Sequence, residues 1–292
     1  MDDQDRLAER FEAHRDHLRG VAFRMLGSRA EADDAVQEAW FRLARSDVAT
    51  IDNLGGWLTT VVGRICLDGL RARQSRPEDA AGAAPDDAAH RGPATVPEDE
   101  ALLADEVGLA LLVVLDALGP AERVAFVLHD LFAVPFDRIA PIVDRSPVAT
   151  KKLASRARQR VRGTPAVPAA DLAGHRRVVD AFLRAARGGD LRGLVAVLDP
   201  DVVRRADDTL VAAGIAPVLR GASTVAEETA GNAARARFAR AVLVDGHLGV
   251  VVAPAGRVRL VMALTLVGER ITGIDVIGDP GRLARLELAL LD

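Results

Sequence analysis

The chain has no tyrosine, a single cysteine and an aromatic content of only 3% over 292 residues. Each scarcity closes off a class of chemistry. Without tyrosine, the phenolic donor that a carboxylate-based isomerase commonly aims at its oxyanion is missing. One thiol, Cys66, cannot form an internal disulfide, and no Cys/His cluster has the spacing of a zinc site. Long apolar runs are absent as well: stretches such as Leu109 to Leu115 and Leu248 to Ala253 are far too short to span a bilayer. The N-terminus opens Met-Asp-Asp-Gln-Asp, with no basic or apolar segment, so no secretory signal is expected and the cytoplasm is the expected compartment. His14 and His17 share a helix face but make half a metal site at best, so no metal, no cofactor and no membrane association are expected.

What is present is 49% hydrophobic and 27% charged residues, enough apolar mass for two or three cores. The net charge of −4 hides a strong segmentation: residues 1–76 carry −1, 77–119 carry −9, 120–163 carry +5 and 164–292 carry +1. A basic block directly after an acidic one suggests one segment that faces a polyanion and another that avoids or mimics it. Prolines, glycines and small residues without hydrophobic periodicity mark 77–100 as an acidic flexible linker. A second break, Gly163-Thr-Pro165-Ala-Val-Pro168, sets a short linker at 164–170. Three folded pieces are expected, at 1–76, 101–163 and 171–292.

The first piece reads as helical. Ser28-Arg-Ala-Glu31 fits a capping box, and Ala32, Val36, Ala39 and Leu43 then recur at helical spacing as a buried stripe. Asp33, Asp34, Gln37, Glu38 and Phe41 lie off it, an acidic face with one aromatic, which is either a solvated surface or a docking face for a basic partner. From Asn53 to Arg73, Trp57, Val61, Ile65 and Cys66 are expected as the apolar stripe, with Arg64, Asp68, Arg71 and Arg73 off it and able to meet phosphates. Cys66 reads as a small core residue rather than a nucleophile.

In the second piece, apolar helices at 101–118 and 120–132 break at Gly119-Pro120. A short helix, 136–143, contains Pro141, which is expected to strain it or delay its start. After the Asp144-Arg145 turn, Ser146-Pro147 is a strong helix start. The following helix is expected to pack through Leu153, Ala157 and Val161. Seven basic residues and no acidic one lie between Arg145 and Arg162. A short helix, a tight turn and a basic second helix predict a helix-turn-helix whose second element enters the major groove.

These motifs carry a resemblance. Asp33-Asp34-Ala-Val-Gln37-Glu38-Ala-Trp-Phe41 resembles the sigma-factor region-two helix that docks on RNA polymerase, and Asn53 to Arg73 is similar to the adjoining segment that melts and reads the −10 promoter element. Leu118 to Arg162 resembles region four, which reads the −35 element. With only a linker between the two, the chain resembles the extracytoplasmic-function (ECF) sigma factors over about residues 8–163. The resemblance implies that Asp33, Asp34, Gln37, Glu38 and Phe41 contact polymerase. It implies that Asn53, Trp57, Arg64, Asp68, Arg71 and Arg73 lie near −10 DNA, and that Lys151, Lys152, Ser155, Arg156 and Gln159 face the −35 groove. Core RNA polymerase and promoter DNA are the implied partners, with an anti-sigma factor or a small-molecule ligand as further candidates. The acidic linker would thread polymerase channels meant for nucleic acid.

The third piece predicts helices at 172–187, 190–198 and 224–234, a strand at 201–206, and a meander of strands at 238–244, 247–253, 257–267 and 271–277. This order resembles a SnoaL-like, nuclear-transport-factor-like cone, an extension found on a subset of sigma factors. The expected fold class is therefore multidomain: two all-α sigma domains and a C-terminal α+β domain with a cone-shaped curved sheet. Asp199, Asp207, Asp208, Asp275 and His247 are candidate acids and bases, each more simply a turn or strand-end residue, and no enzyme activity or catalytic residue is expected. Better-known members of the subset carry a Trp-Leu-Pro-Glu-Pro-type motif in the linker and an Asp-Gly-Gly-Gly-type motif in the extension. Here the linker has no tryptophan and the strand end reads Arg205-Ala206-Asp207-Asp208-Thr209. That leaves regulation through different contacts, or a small molecule in the pocket. The competing function class is a DNA-binding regulator that senses a small molecule and works without polymerase.

Overall fold

The structure is a computed structural model that describes residues 3–75, 106–254 and 257–291. The acidic linker expected at 77–100 and the first residues of the helix expected at 101–118 lie outside the described residues. The chain divides into two compact units: one formed from the described residues of 1–103 and 118–158, the other from those of 104–117 and 159–292.

The first unit opens with α1 (Asp3–Leu26), α2 (Arg29–Ala44) and α3 (Leu54–Ser75). Gly27, at φ +72°, ends α1, and the Ser28 hydroxyl then caps α2 by accepting from the Glu31 amide at 3.4 Å. The three helices bury Phe11, Leu18, Val21 and Met25 against Val36, Ala39 and Leu43 and against Leu58, Val62 and Leu67. The stripe on α2 is the one expected, with Ala35 added.

On α3 the stripe is displaced. Trp57, Val61 and Ile65 are only half-buried, and Leu54, Leu58, Val62, Cys66, Leu67 and Leu70 form the buried sector. The reason is that α3 has neighbours on two sides. Besides α1 and α2 it packs on α5 (Pro120–Phe126) and α6 (Phe136–Val143), which follow α4 (Glu106–Asp116) in the chain. Gly63 makes the close approach: a Cβ there would sit 3.2 Å from Ile142 and 3.4 Å from Leu128. Burial pushes the Cys66 thiol up to about 12, which fits a core residue and not a nucleophile.

α5 continues as a π-helical turn, Val127–Leu131, before α6. The delayed or strained start expected for α6 is not what forms, since the helix runs from Phe136 straight through Pro141. Proline removes one amide hydrogen bond, while Ile139, Ala140, Ile142 and Val143 are all buried, and that burial outweighs the loss. Asp144, left-handed at φ +55°, closes α6. The Ser146 hydroxyl then accepts from the Ala149 amide at 3.2 Å and opens α7 (Pro147–Arg162). Its buried stripe is Thr150, Ala154, Ala157 and Val161, with Leu153 at the half-buried edge instead of the centre. Thr150 can be buried because its hydroxyl donates to the Ser146 carbonyl at 3.0 Å.

The second unit contains α8 (Ala169–Gly188), α9 (Leu191–Val197), β1 (Leu198–Ala206), α10 (Asp208–Ala212), β2 (Val218–Arg220), α11 (Ala222–Gly231) and α12 (Ala233–Ala236). The expected meander follows as β3 (Ala239–Val244), β4 (His247–Val252), β5 (Leu260–Val267) and β6 (Arg270–Ile277), then α13 (Pro280–Leu283) and β7 (Leu288–Ala289). Among the described residues these strands form a seven-stranded sheet ordered β2-β1-β6-β5-β4-β3-β7. β1 runs parallel to β6 and the other pairs are antiparallel, a mixed sheet. One face buries Val202, Val250, Leu264 and Ile274 against Phe182, Leu194 and Val225 of the helices. The other buries Val242, Val244, Val251 and Val261 against Ala110 and Val113 of α4. At the far edge, the Leu290 amide donates to the Val161 carbonyl at 2.8 Å, and Gly163, at φ +59°, lies so close to Ala289 that a Cβ would come within 2.4 Å of it.

The Arg205-Ala206-Asp207-Asp208-Thr209 segment has a structural job. The Asp207 carboxylate, 5% exposed, accepts from the amides of Gly278 and Asp279 at 2.7 Å and from that of Leu210 at 3.2 Å. It caps α10 and fastens the end of β1 to the chain leaving β6. Burial pushes its pKa up, but the three amides and Arg282 outweigh that and hold it below the ordinary carboxylate range. A depressed carboxyl stabilises the fold above its unfolded value, and that stabilisation is lost as pH falls through the lowered one. Asp207→Ala is expected to destabilise this unit by about 2–4 kcal/mol at neutral pH, from charge-assisted hydrogen bonds lost to buried amides. Urea melts at neutral and strongly acid pH check this: the gap between the two proteins should narrow in acid.

Candidate nucleic-acid interface

Asp33, Asp34, Gln37, Glu38 and Phe41 are all exposed on α2, opposite its buried stripe, and Phe41 is an exposed large aromatic at 45%. Their spacing, i, i+1, i+4, i+5 and i+8, confines them to about 140° of the helix at 100° per residue. Asp33 pairs with Arg19 at 2.6 Å and Glu38 with Arg42 at 2.9 Å. Both pairs are half-exposed, so solvent weakens them and a basic partner can exchange for either. Asp34 makes no ion pair among the described residues. Arg15, Val36 and Trp40 line a cleft beside Gln37 and Phe41, and Trp40 rests on Phe11 with ring centroids 5.1 Å apart.

On α3, Trp57, Arg64, Asp68 and Arg71 share a narrow arc of about 60° by the same periodicity. Asn53 caps this helix, its side-chain oxygen accepting from the Gly56 amide at 2.9 Å. Arg64 donates to the Pro141 carbonyl at 3.3 Å, so this face meets the end of α6. Arg73 is separated from the others: it lies across the helix, half-buried, donating to the Leu26 carbonyl at 3.0 Å and to the Glu31 carboxylate. Its charge serves the helix packing here.

Lys151, Lys152, Ser155, Arg156 and Gln159 are exposed on α7. They repeat the spacing of the α2 face with the charge inverted. Arg158 leaves the basic set by pairing with Asp130 at 2.6 Å. No acidic residue interrupts the face, so its field favours a polyanion.

The acids and the base singled out in the C-terminal piece are not brought together. Asp199 accepts from the Asp201 amide at 2.9 Å, Asp207 is the fastening described above, and Asp275 lies 4.0 Å from Arg205 across the β1–β6 pair. Asp208 and His247 are exposed. None of the five lines the cavity of this unit, whose polar lining includes Arg204 and Glu228 instead. The sequence reading missed both. The available signal was Arg204 itself, an arginine at an inward position between Val202 and Ala206. Among the described residues, no group of three or more His, Cys, Asp or Glu could hold a metal ion, and no helix is long and apolar enough to cross a membrane.

An acidic face with one exposed aromatic on one helical bundle, and a basic face on the second helix of a helix-turn-helix, are complementary in charge to a basic surface and to a polyanion. Comparison with known proteins narrows the class. The family model for sigma-70 region 2 matches residues 10–76. The chain is similar to the probable ECF RNA polymerase sigma factor SigI of Mycobacterium tuberculosis, 42% identical over 214 residues covering 71% of this chain and 72% of that protein. It is similar also to ECF sigma factor SigJ of that organism, 41% identical over 217 residues covering 74% and 69%. The crystal structure of SigJ aligns over 94% of this chain and 97% of that chain at 33% identity, with a TM-score of 0.45. The chain belongs to the ECF RNA polymerase sigma factors. It is an alternative sigma factor, a transcription initiation factor that works with core RNA polymerase at promoters.

Proposed function

We propose a division of labour within this sigma factor. The segment 1–76 docks on polymerase through Asp33, Asp34, Gln37, Glu38 and Phe41, and engages −10 DNA through Asn53, Trp57, Arg64, Asp68 and Arg71. Arg73 acts there by bracing α3. The segment 101–163 reads the −35 element through Lys151, Lys152, Ser155, Arg156 and Gln159, and 77–100 connects the two. The piece 171–292, read as a SnoaL-like extension, modulates initiation. The observation that carries this reading is the pair of matched faces on α2 and α7, alike in spacing and opposite in charge, each backed by a buried stripe. The protein acts in the cytoplasm and carries no chemistry of its own, so phosphodiester bond formation stays with the polymerase. An anti-sigma factor would act by covering either face.

Run-off transcription with purified core polymerase tests it, on a promoter taken from the protein's own upstream region. Initiation should depend on addition of the full chain. No transcript would move the function to a DNA-binding sensor that works without polymerase. In the same assay Lys152→Ala with Arg156→Ala should weaken promoter binding, each base contact accounting for about 1–3 kcal/mol of discrimination and each phosphate contact for about one unit of salt slope. If affinity, sequence preference and salt slope all stay unchanged, α7 does not read the groove.

A further inference from the structure

The second unit has a partly open cavity of about 130 Å³ between the sheet and the helices α8, α11 and α12. Its walls are mostly apolar, with Phe182, Leu183, Ile215, Val252, Met262 and Val276 among them. One feature breaks that pattern: Arg204 on β1, only 3% exposed, reaches the lining and pairs with Glu228 of α11. Its Nε and Nη2 donate to the two Glu228 oxygens, and its Nη1 donates to the Ala216 carbonyl at 2.6 Å. A guanidinium has five N–H donors, so one on each terminal nitrogen has no acceptor among the described residues.

The fold does not require this pair. Arg204 is buried while Glu228 keeps a third of its side chain exposed, and replacing a largely buried ion pair by apolar residues of similar volume is often neutral or stabilising. Donors with spare capacity in an apolar cavity are instead the usual make-up of a ligand pocket, where a few polar groups orient an apolar body. The charges decide the ligand's sign. Glu228 neutralises Arg204, and Arg235 of α12, exposed and also lining the cavity, leaves the lining with one positive charge in excess. A cavity of about 150 Å³ takes up benzene, so the space here suits a body of about one ring.

We propose that this cavity is a binding site for a small monocarboxylic acid, its body of roughly benzene size against the apolar wall and its carboxylate bridging the two terminal nitrogens of Arg204. None of its lining residues belongs to the faces assigned to polymerase and DNA, so the ligand acts on the extension and not on the promoter-reading surfaces.

Isothermal titration of the full chain tests this, with benzoate and hexanoate as probes and benzyl alcohol as the uncharged counterpart of benzoate. At least one acid should bind saturably at millimolar concentration, and benzyl alcohol should bind about tenfold more weakly or not at all, the cost of removing a charge-assisted pair. Ala236→Trp, which fills the cavity, should abolish binding. Because Arg204 alone cannot be removed without stranding Glu228, the second variant is Arg204→Leu with Glu228→Leu, which should keep the thermal transition and lose the acid. Failure of both acids to bind, equal binding of the alcohol, or undiminished binding to the folded double variant would each overturn the proposal. The readout is binding alone, so such a failure leaves the sigma assignment standing.

Discussion

Asp34→Lys combined with Glu38→Lys is expected to abolish assembly with core polymerase. Both side chains are exposed on α2, on the side opposite Ala32, Ala35, Val36, Ala39 and Leu43, so the substitutions leave the packed stripe intact. Asp34 has no ion-pair partner among the described residues, and Glu38 holds only the half-exposed Arg42. The double change therefore removes two negative charges, adds two positive ones, and turns the Glu38–Arg42 attraction into a repulsion between like charges. Like charges facing a basic partner surface cost several kcal/mol, so the affinity should fall by about a hundredfold or more. Anisotropy titration of labelled protein with core polymerase measures this, with a thermal melt to show that α1–α3 still pack. Undiminished affinity in a folded variant would remove α2 as the docking face. Phe41→Ala should cost less, since it deletes one apolar contact and introduces no repulsion.

The second large effect concerns a cut after Gly163. Removing 164–292 takes away the sheet on which Ala110 and Val113 of α4 pack, and the Leu290 amide that donates to the Val161 carbonyl. Ala110 and Val113 are buried against the sheet in the intact protein, so α4 would lose the cover of that face. Burial of that kind is what holds an eleven-residue helix together, because helices shorter than about 12–15 residues are marginal alone in water. Hydrogen exchange should show the amides of 110–116 protected in the full chain and exchanging freely in the shortened one, with loss of solubility. Protection unchanged by the cut would mean that α4 is held by contacts other than the sheet. A transcriptional defect of the shortened chain therefore does not by itself measure regulation by the extension. Arg204→Leu with Glu228→Leu, which keeps the sheet, is the cleaner instrument.

Much of this was legible in the residues. The α2 face, its stripe, the Ser146-Pro147 helix start and the β3–β6 meander follow from local rules: a cap, a period of 3.6, an alternation of two. The errors share one cause. On α3 and α7 the sequence offers more apolar or small positions than one stripe needs, and the selection among them is made by the neighbours: Ile142 and Leu128 against Gly63, and the Ser146 carbonyl that lets Thr150 go inside. The same logic places Arg73, whose guanidinium is held by Glu31 and the Leu26 carbonyl, partners distant in the chain. The short elements α10, β2, α13 and β7 carry too few residues for any period to register.

What the sequence determined by itself is the chemistry of the exposed faces and the order of the pieces, because charge, caps and periodicity are properties of neighbouring residues. What only the tertiary structure decided is which buried surfaces meet. It put α4 on the C-terminal sheet, tied β7 to the end of α7, made Asp207 a fastening rather than a base, and set Arg204 and Glu228 face to face in an apolar cavity. These are pairings between residues far apart in the chain, fixed by shape and by the hydrogen-bonding of buried polar groups, and no local pattern encodes them.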